Sequence, residues 1–168
     1  MIKALELLAP AKDLECGMAA IDHGADAVYI GPERFGARTA AGNSIDDIRQ
    51  LCNYAHRFLA KVYATVNTIV YDNEIDDITA LLKQLKIAGV DAVLIQDMAL
   101  ISILREIGMP YHASTQTDNR TAQKVKWLQE QGFSRVVLAR ELSINEIEDI
   151  HNMVEDMPLE VFVHGALC

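Results

Sequence analysis

No stretch of this 168-residue sequence is apolar for long enough to cross a membrane; the longest runs, such as Val136 to Ala139, are the length of a strand. Cysteine is scarce. Cys16, Cys52 and Cys168 are odd in number and show no C-x-x-C spacing, which excludes a disulfide framework. Cys16 and Cys52 lie in helical patterns beside apolar neighbours, and both read as buried thiols. Positive charge is also in short supply. Fifteen Lys and Arg against 24 Asp and Glu give a net charge of −9, so the domain repels nucleic acid unless its basic residues cluster locally. No signal peptide opens the chain, because Met1-Ile2-Lys3-Ala4-Leu5-Glu6 runs straight into a strand pattern, and a cytoplasmic location is expected. Missing too are a Gly-x-Gly-x-x-Gly after the first strand, a His-Glu-x-x-His zinc motif and a Gly-x-Ser-x-Gly elbow.

What is present is alternation. Hydrophobic residues at 51% suffice for one core, and strand-like runs alternate with amphipathic helices throughout. Strands are expected at Leu5–Leu8, Ala27–Ile30, Val62–Asn67, Ala92–Ile95, Tyr111–Ser114, Arg135–Leu138 and Glu160–Val163. Helices are expected near 13–23, 44–58, 73–88, 98–107, 119–131 and 143–154. Ser44 and Asn119 suit N-caps, and Ser143-x-x-Glu146 is a capping box. Gly24, Gly89, Gly108 and Gly132 sit where helices must stop. An internal echo supports the pattern: Gly24-Ala25-Asp26-Ala27-Val28 matches Gly89-Val90-Asp91-Ala92-Val93, and Gly132-Phe133-Ser134-Arg135-Val136 is a looser copy.

Repeated right-handed βα units give a closed barrel or a doubly wound sheet, and the missing glycine fingerprint favours the barrel. The fold expected over 1–168 is therefore a single α/β domain, a TIM-type (β/α) barrel of seven parallel strands that is truncated, its eighth unit missing. Its open edges could pair with a second copy, giving a homodimer.

In such barrels the chemistry gathers at the strand C-termini. Polar residues converge there: Arg34 and Arg38 after strand 2, Asn67 after strand 3, Gln96-Asp97 after strand 4, His112 to Gln116 at strand 5, Arg140-Glu141 after strand 6 and His164 after strand 7. His112, Gln116, Glu141 and His164 are the candidate catalytic residues; Arg34, Arg38, Asn67 and Arg140 are the candidate substrate-binding residues. Alternatives stand beside several of these. His112 suits a hydrogen-bonded barrel histidine equally well, Arg34 and Arg38 fit an anion clamp or a solvated loop, and Glu141 fits a general base or an ion pair with Arg140. His164 and Cys168 would lie about 13 Å apart on a continuing strand, too far for proton transfer unless the chain turns sharply at Gly165.

The closing run Glu160-Val161-Phe162-Val163-His164-Gly165-Ala166-Leu167-Cys168 resembles the first half of the signature of the peptidase U32 (collagenase-like) family. Leu7-Leu8-Ala9-Pro10-Ala11, His112-Ala113-Ser114-Thr115-Gln116 and Val137-Leu138-Ala139-Arg140-Glu141-Leu142 look like further family blocks. The resemblance implies RNA hydroxylation without molecular oxygen, with prephenate or a similar carboxylate as hydroxyl source. It also implies a 4Fe-4S cluster with Cys168 as one of four ligands. Phe35-Gly36-Ala37-Arg38, Asn43-Ser44 and Gln96-Asp97-Met98 look most like the branch that hydroxylates 23S ribosomal RNA cytidine. The tRNA wobble uridine branch and a collagenase-like peptidase are the alternatives. RNA contacts would fall to Arg34, Arg38, Arg120 and Lys124, or to residues outside this chain. One ligand of four holds no cluster, so this portion alone is expected to bind no metal and to be inactive.

Overall fold

The computed structural model describes residues 5–37 and 42–165; Arg38 and Cys168 lie outside them. Seven parallel strands form one sheet in sequence order: β1 (Leu8–Ala11), β2 (Ala27–Ile30), β3 (Lys61–Val66), β4 (Ala92–Ile95), β5 (Tyr111–Ala113), β6 (Arg135–Val137) and β7 (Leu159–Glu160). Between them run α1 (Leu14–Asp22), α2 (Ile45–His56), α3 (Ile75–Ala88), α4 (Leu100–Ile107), α5 (Ala122–Glu130) and α6 (Ile144–Met153). The sheet is curled. Glu6, just before β1, lies 2.5 Å from Arg135 at the start of β6, whereas five inter-strand steps of about 4.8 Å would separate them in a flat sheet. The expected seven-stranded (β/α) barrel lacking its eighth unit is the fold observed.

Strand alternation divides the buried residues into two sets. Val28, Val62, Val93 and Val136 face outward beneath the helices, in one core with Ile78, Leu82 and Leu85 of α3, all without solvent exposure. Ala27, Tyr63, Ala92, Leu94 and Val137 face inward, joined by Leu8, Tyr29 and Phe162. Capping boxes at Ser44 with Asp47 and at Ser143 with Glu146 start α2 and α6, and left-handed Gly89 and Gly108 end α3 and α4.

The echoed pentapeptide is a clamp between units. Asp26 donates its backbone N–H to Leu7 O and accepts the Leu7 N–H on its carboxylate at 2.8 Å. Asp91 does the same to Val62, accepting its N–H at 2.7 Å. In the looser copy Ser134 gives both its N–H and its hydroxyl to Tyr111 O. The motif ties the starts of β2, β4 and β6 each to the start of the strand before it.

Four expectations are corrected. β1 begins at Leu8 rather than ending there, and Pro10, which has no N–H, is tolerated because β1 is an edge strand. β7 ends at Glu160, before the chain bends at Val163. Helix α5 is capped by Thr121, not Asn119, whose amide is committed to buried carbonyls instead. Cys52 is buried, but Cys16 is exposed, because it falls on the solvent side of the first turn of α1.

Candidate functional site at the barrel mouth

The mouth is built at the C-terminal ends of β3, β5 and β6. Asn67 follows β3 and ties two loops together: its Oδ1 accepts the Ala37 N–H at 3.0 Å, and its Nδ2 donates to Ser114 Oγ at 3.3 Å. Thr68 Oγ1 adds a bond to Phe35 O, and Phe35 is held buried at a φ of 67°, a conformation that a bulky side chain takes only when its surroundings impose it. Asp97 anchors the next loop, accepting the N–H groups of Val70 and Ala99.

Ser114 is the hub. Beneath it Asn119, with no solvent exposure, donates to Ser114 O at 3.0 Å and Val137 O at 2.8 Å, and accepts the Thr117 hydroxyl at 2.7 Å. Asn119 O also accepts the Ala139 N–H. One buried amide thus fixes the ends of β5 and β6 relative to each other. Beside it the Arg140 guanidinium stacks 3.9 Å from the centre of the Phe162 ring, a cation on an aromatic platform. Asn67, Ser114, Arg140 and Phe162 form a mouth that offers hydrogen bonds, one positive charge and a flat apolar face.

Two residues below Ser114, on the same face of β5, His112 points into the lumen. It is 5% exposed, its ring stands edge-on to Tyr63 at 4.8 Å, and its Nδ1 has no hydrogen-bond partner among the described residues. Burial, with the nearby charge of Arg135, pushes its pKa down to about 3, so it is neutral at physiological pH. Deeper still, Glu6 accepts hydrogen bonds from Tyr63 and Arg135, with Lys61 and Glu160 at the same level. Burial raises the Glu6 pKa, but Arg135, Tyr63 and Lys61 outweigh it and hold the carboxyl below its ordinary value. For Glu160, burial prevails over Arg135 and the pKa is raised.

The other candidates are dispersed. Arg34 pairs with Asp77 at 2.8 Å and lines a cleft of about 330 Å³ between α2 and α3 with Asn43, Ser44 and Gln84, outside the barrel mouth. Glu141 is exposed and pairs with Arg120 at 3.6 Å. Arg120 also bonds Asp118, and Lys124 bonds the carbonyls of Thr117 and Asp118, so these cations are already engaged. Gln116 and His164 are exposed; the chain does bend at 163–165, and Cys168 lies outside the described residues. Among the described residues no three of His, Cys, Asp and Glu are grouped to hold a metal. The Ser114 hydroxyl accepts from Asn67 Nδ2 and from the Gln116 N–H rather than meeting a base. The chemistry these side chains provide is recognition of polar, planar and anionic groups. Asn119 and Phe162 were not among the residues the sequence placed at the site, although Asn119 carried a signal: an asparagine two residues before the Thr121 cap of α5.

The profile of Peptidase family U32 matches residues 12–168. The sequence is 48% identical over 98% of its length to the 23S rRNA 5-hydroxycytidine C2501 synthase of Escherichia coli, covering 25% of that protein. It is 40% identical over 97% of its length to the tRNA hydroxylation protein P of the same organism, covering 37% of it. Against the Collagenase of Porphyromonas gingivalis, identity is 31% over 99% of this chain and 43% of the relative. The chain therefore spans about a quarter to two-fifths of these relatives. Among solved structures, the U32 peptidase Mk0906 superposes with a TM-score of 0.79 at 15% identity, over 94% of this chain and 68% of that one. 2,3-Dimethylmalate lyase superposes with a TM-score of 0.65 at 16% identity, over 97% of this chain and 69% of that one.

Proposed function

Because the chain belongs to peptidase family U32, we propose that it is the barrel portion of an RNA-hydroxylating enzyme acting on a cytidine of 23S ribosomal RNA. The observation that carries this reading is the 48% identity, over 98% of the chain, to a protein named for that modification, against 40% to a tRNA hydroxylation protein. The mouth suits the task. Phe162 offers a stacking face for an unpaired base, and half-buried Asn67, held in place by buried Ser114, offers an amide for its edge. Arg140 suits a carboxylate-bearing hydroxyl donor, prephenate or a similar acid.

An iron–sulfur cluster with Cys168 as one ligand belongs to the same reading. The described residues do not by themselves assemble a site for it. Iron and sulfide analysis of the anaerobically purified whole protein tests that part: about four of each per chain is expected, and a cluster-free active protein would overturn it. The substrate is tested by mass spectrometry of ribosomal RNA from a strain lacking the gene. Loss of 5-hydroxycytidine from 23S RNA is expected, and unchanged 5-hydroxycytidine would overturn the reading. Loss of hydroxyuridine from tRNA instead would move the assignment to that branch.

A further inference from the structure

His112 is enclosed in the lumen with a ring nitrogen to spare. Its Nδ1 is buried and has no hydrogen-bond partner among the described residues. The side chains that flank it do not supply one. In the sheet His112 stands between Leu94 of β4, which is apolar, and Arg135 of β6. The Arg135 guanidinium lies 2.5 Å from Glu6 and 3.5 Å from Glu160. The Tyr63 hydroxyl donates to Glu6, and Lys61 faces the same carboxylate at 3.5 Å. These polar neighbours are therefore spent on one another, and their charges balance, Glu6 and Glu160 against Lys61 and Arg135. A further charge entering so enclosed a space would stand unpaired, so the group that suits Nδ1 is an uncharged donor or acceptor.

The ring is also fixed, and it lies within reach of the mouth. Tyr63 stands edge-on to it at 4.8 Å. On the same face of β5, Ser114 is two residues above, a depth of about 6.6 Å at roughly 3.3 Å per residue. One planar six-membered ring pointing inward can span that depth. A nucleobase turned out of its strand is read in this way, by stacking on a flat side chain and by hydrogen bonds to its edge. Phe162 belongs to the same inward set as Tyr63 and supplies the flat side chain.

We infer that His112 is the base-reading residue of the mouth: its unpaired nitrogen hydrogen-bonds the uncharged edge of a pyrimidine lowered past Ser114, while the carboxylate-bearing co-substrate stays above, at Arg140. This rests on the reading of the mouth as the site of RNA hydroxylation, and it gives the two substrates different depths. The test uses the whole protein, induced in a strain lacking the gene, and follows the initial rate at which 5-hydroxycytidine appears in 23S RNA at matched protein levels. His112→Phe keeps a ring against Tyr63 but removes both nitrogens, His112→Leu removes them with a smaller side chain, and His112→Asn returns an amide close to the place of Nδ1. Both apolar variants should be slowed about tenfold or more, the order expected when one buried hydrogen bond is withdrawn. His112→Asn should recover most of the rate. Urea unfolding separates this from a packing role: the apolar variants should stay near wild-type stability, because the nitrogen they lose has no partner in the fold. Wild-type rates in both apolar variants, as when only a water meets Nδ1, would overturn the inference. So would an asparagine variant no faster than they are, or rates that fall only in step with stability. If wild type itself restores no 5-hydroxycytidine, the RNA reading falls, and the inference falls with it.

Discussion

Asn119 and His112 are the two enclosed polar residues on which the mouth rests, and they fail in different ways. Replacing Asn119 by alanine takes its donor from Val137 O, whereas Ser114 O keeps the N–H and hydroxyl of Thr117. At about 1–3 kcal/mol for one buried group left unsatisfied, Asn119→Ala should lose about 1–3 kcal/mol in urea unfolding. His112 acts through pH instead. Its folded pKa lies far below the ordinary value of 6.5, so between pH 6.5 and 3 the unfolded chain binds the extra proton. Its contribution to stability is full above pH 6.5 and declines as pH falls. Wild type should therefore lose up to about 1.4 kcal/mol per pH unit more than His112→Gln between pH 6 and 4.5. Parallel pH profiles for the two proteins would contradict the neutral, desolvated histidine. Neither role was legible in sequence. Asn119 had the right chemistry for a helix cap, and only the fold shows that the carbonyls of Ser114 and Val137 claim it first.

At the level of elements, the helices and inner strands follow from periodicity, caps and glycines, which are local signals. The edge strands did not. β7 has only two residues, both edge strands have a partner on one side only, and Pro10 disguises β1 as a loop. The echoed pentapeptide was visible as a repeat, but its purpose required knowing which strands are neighbours. It yields a ranking. Asp91 accepts the N–H of Val62, which is fully buried, while Asp26 accepts that of Leu7, which is 54% exposed and within reach of water. Asp91→Ala should cost about 1–3 kcal/mol and Asp26→Ala less than about 1 kcal/mol. Chemical denaturation of the two variants decides it, and the reverse order would refute the clamp.

For the whole molecule, the charge of −9 read from the sequence keeps its meaning in the fold. Of the cations expected to meet RNA, Arg34 is paired with Asp77 and Arg120 with Asp118 and Glu141. Replacing either with alanine in the whole protein should leave the salt dependence of RNA binding unchanged, whereas a true phosphate contact would lower its slope by about 1. Sequence order alone placed Arg34 and Arg140 on one rim. The structure turns Arg34 toward α2 and α3 and leaves Asn67, Ser114, Arg140 and Phe162 at the mouth. That placement is tested most directly by returning wild type, Asn67→Ala, Arg140→Ala and Arg34→Ala to a strain lacking the gene and measuring 5-hydroxycytidine in 23S RNA. Wild type and Arg34→Ala should restore it, while Asn67→Ala and Arg140→Ala, at matched protein levels, should not. Full restoration by both mouth variants would contradict it.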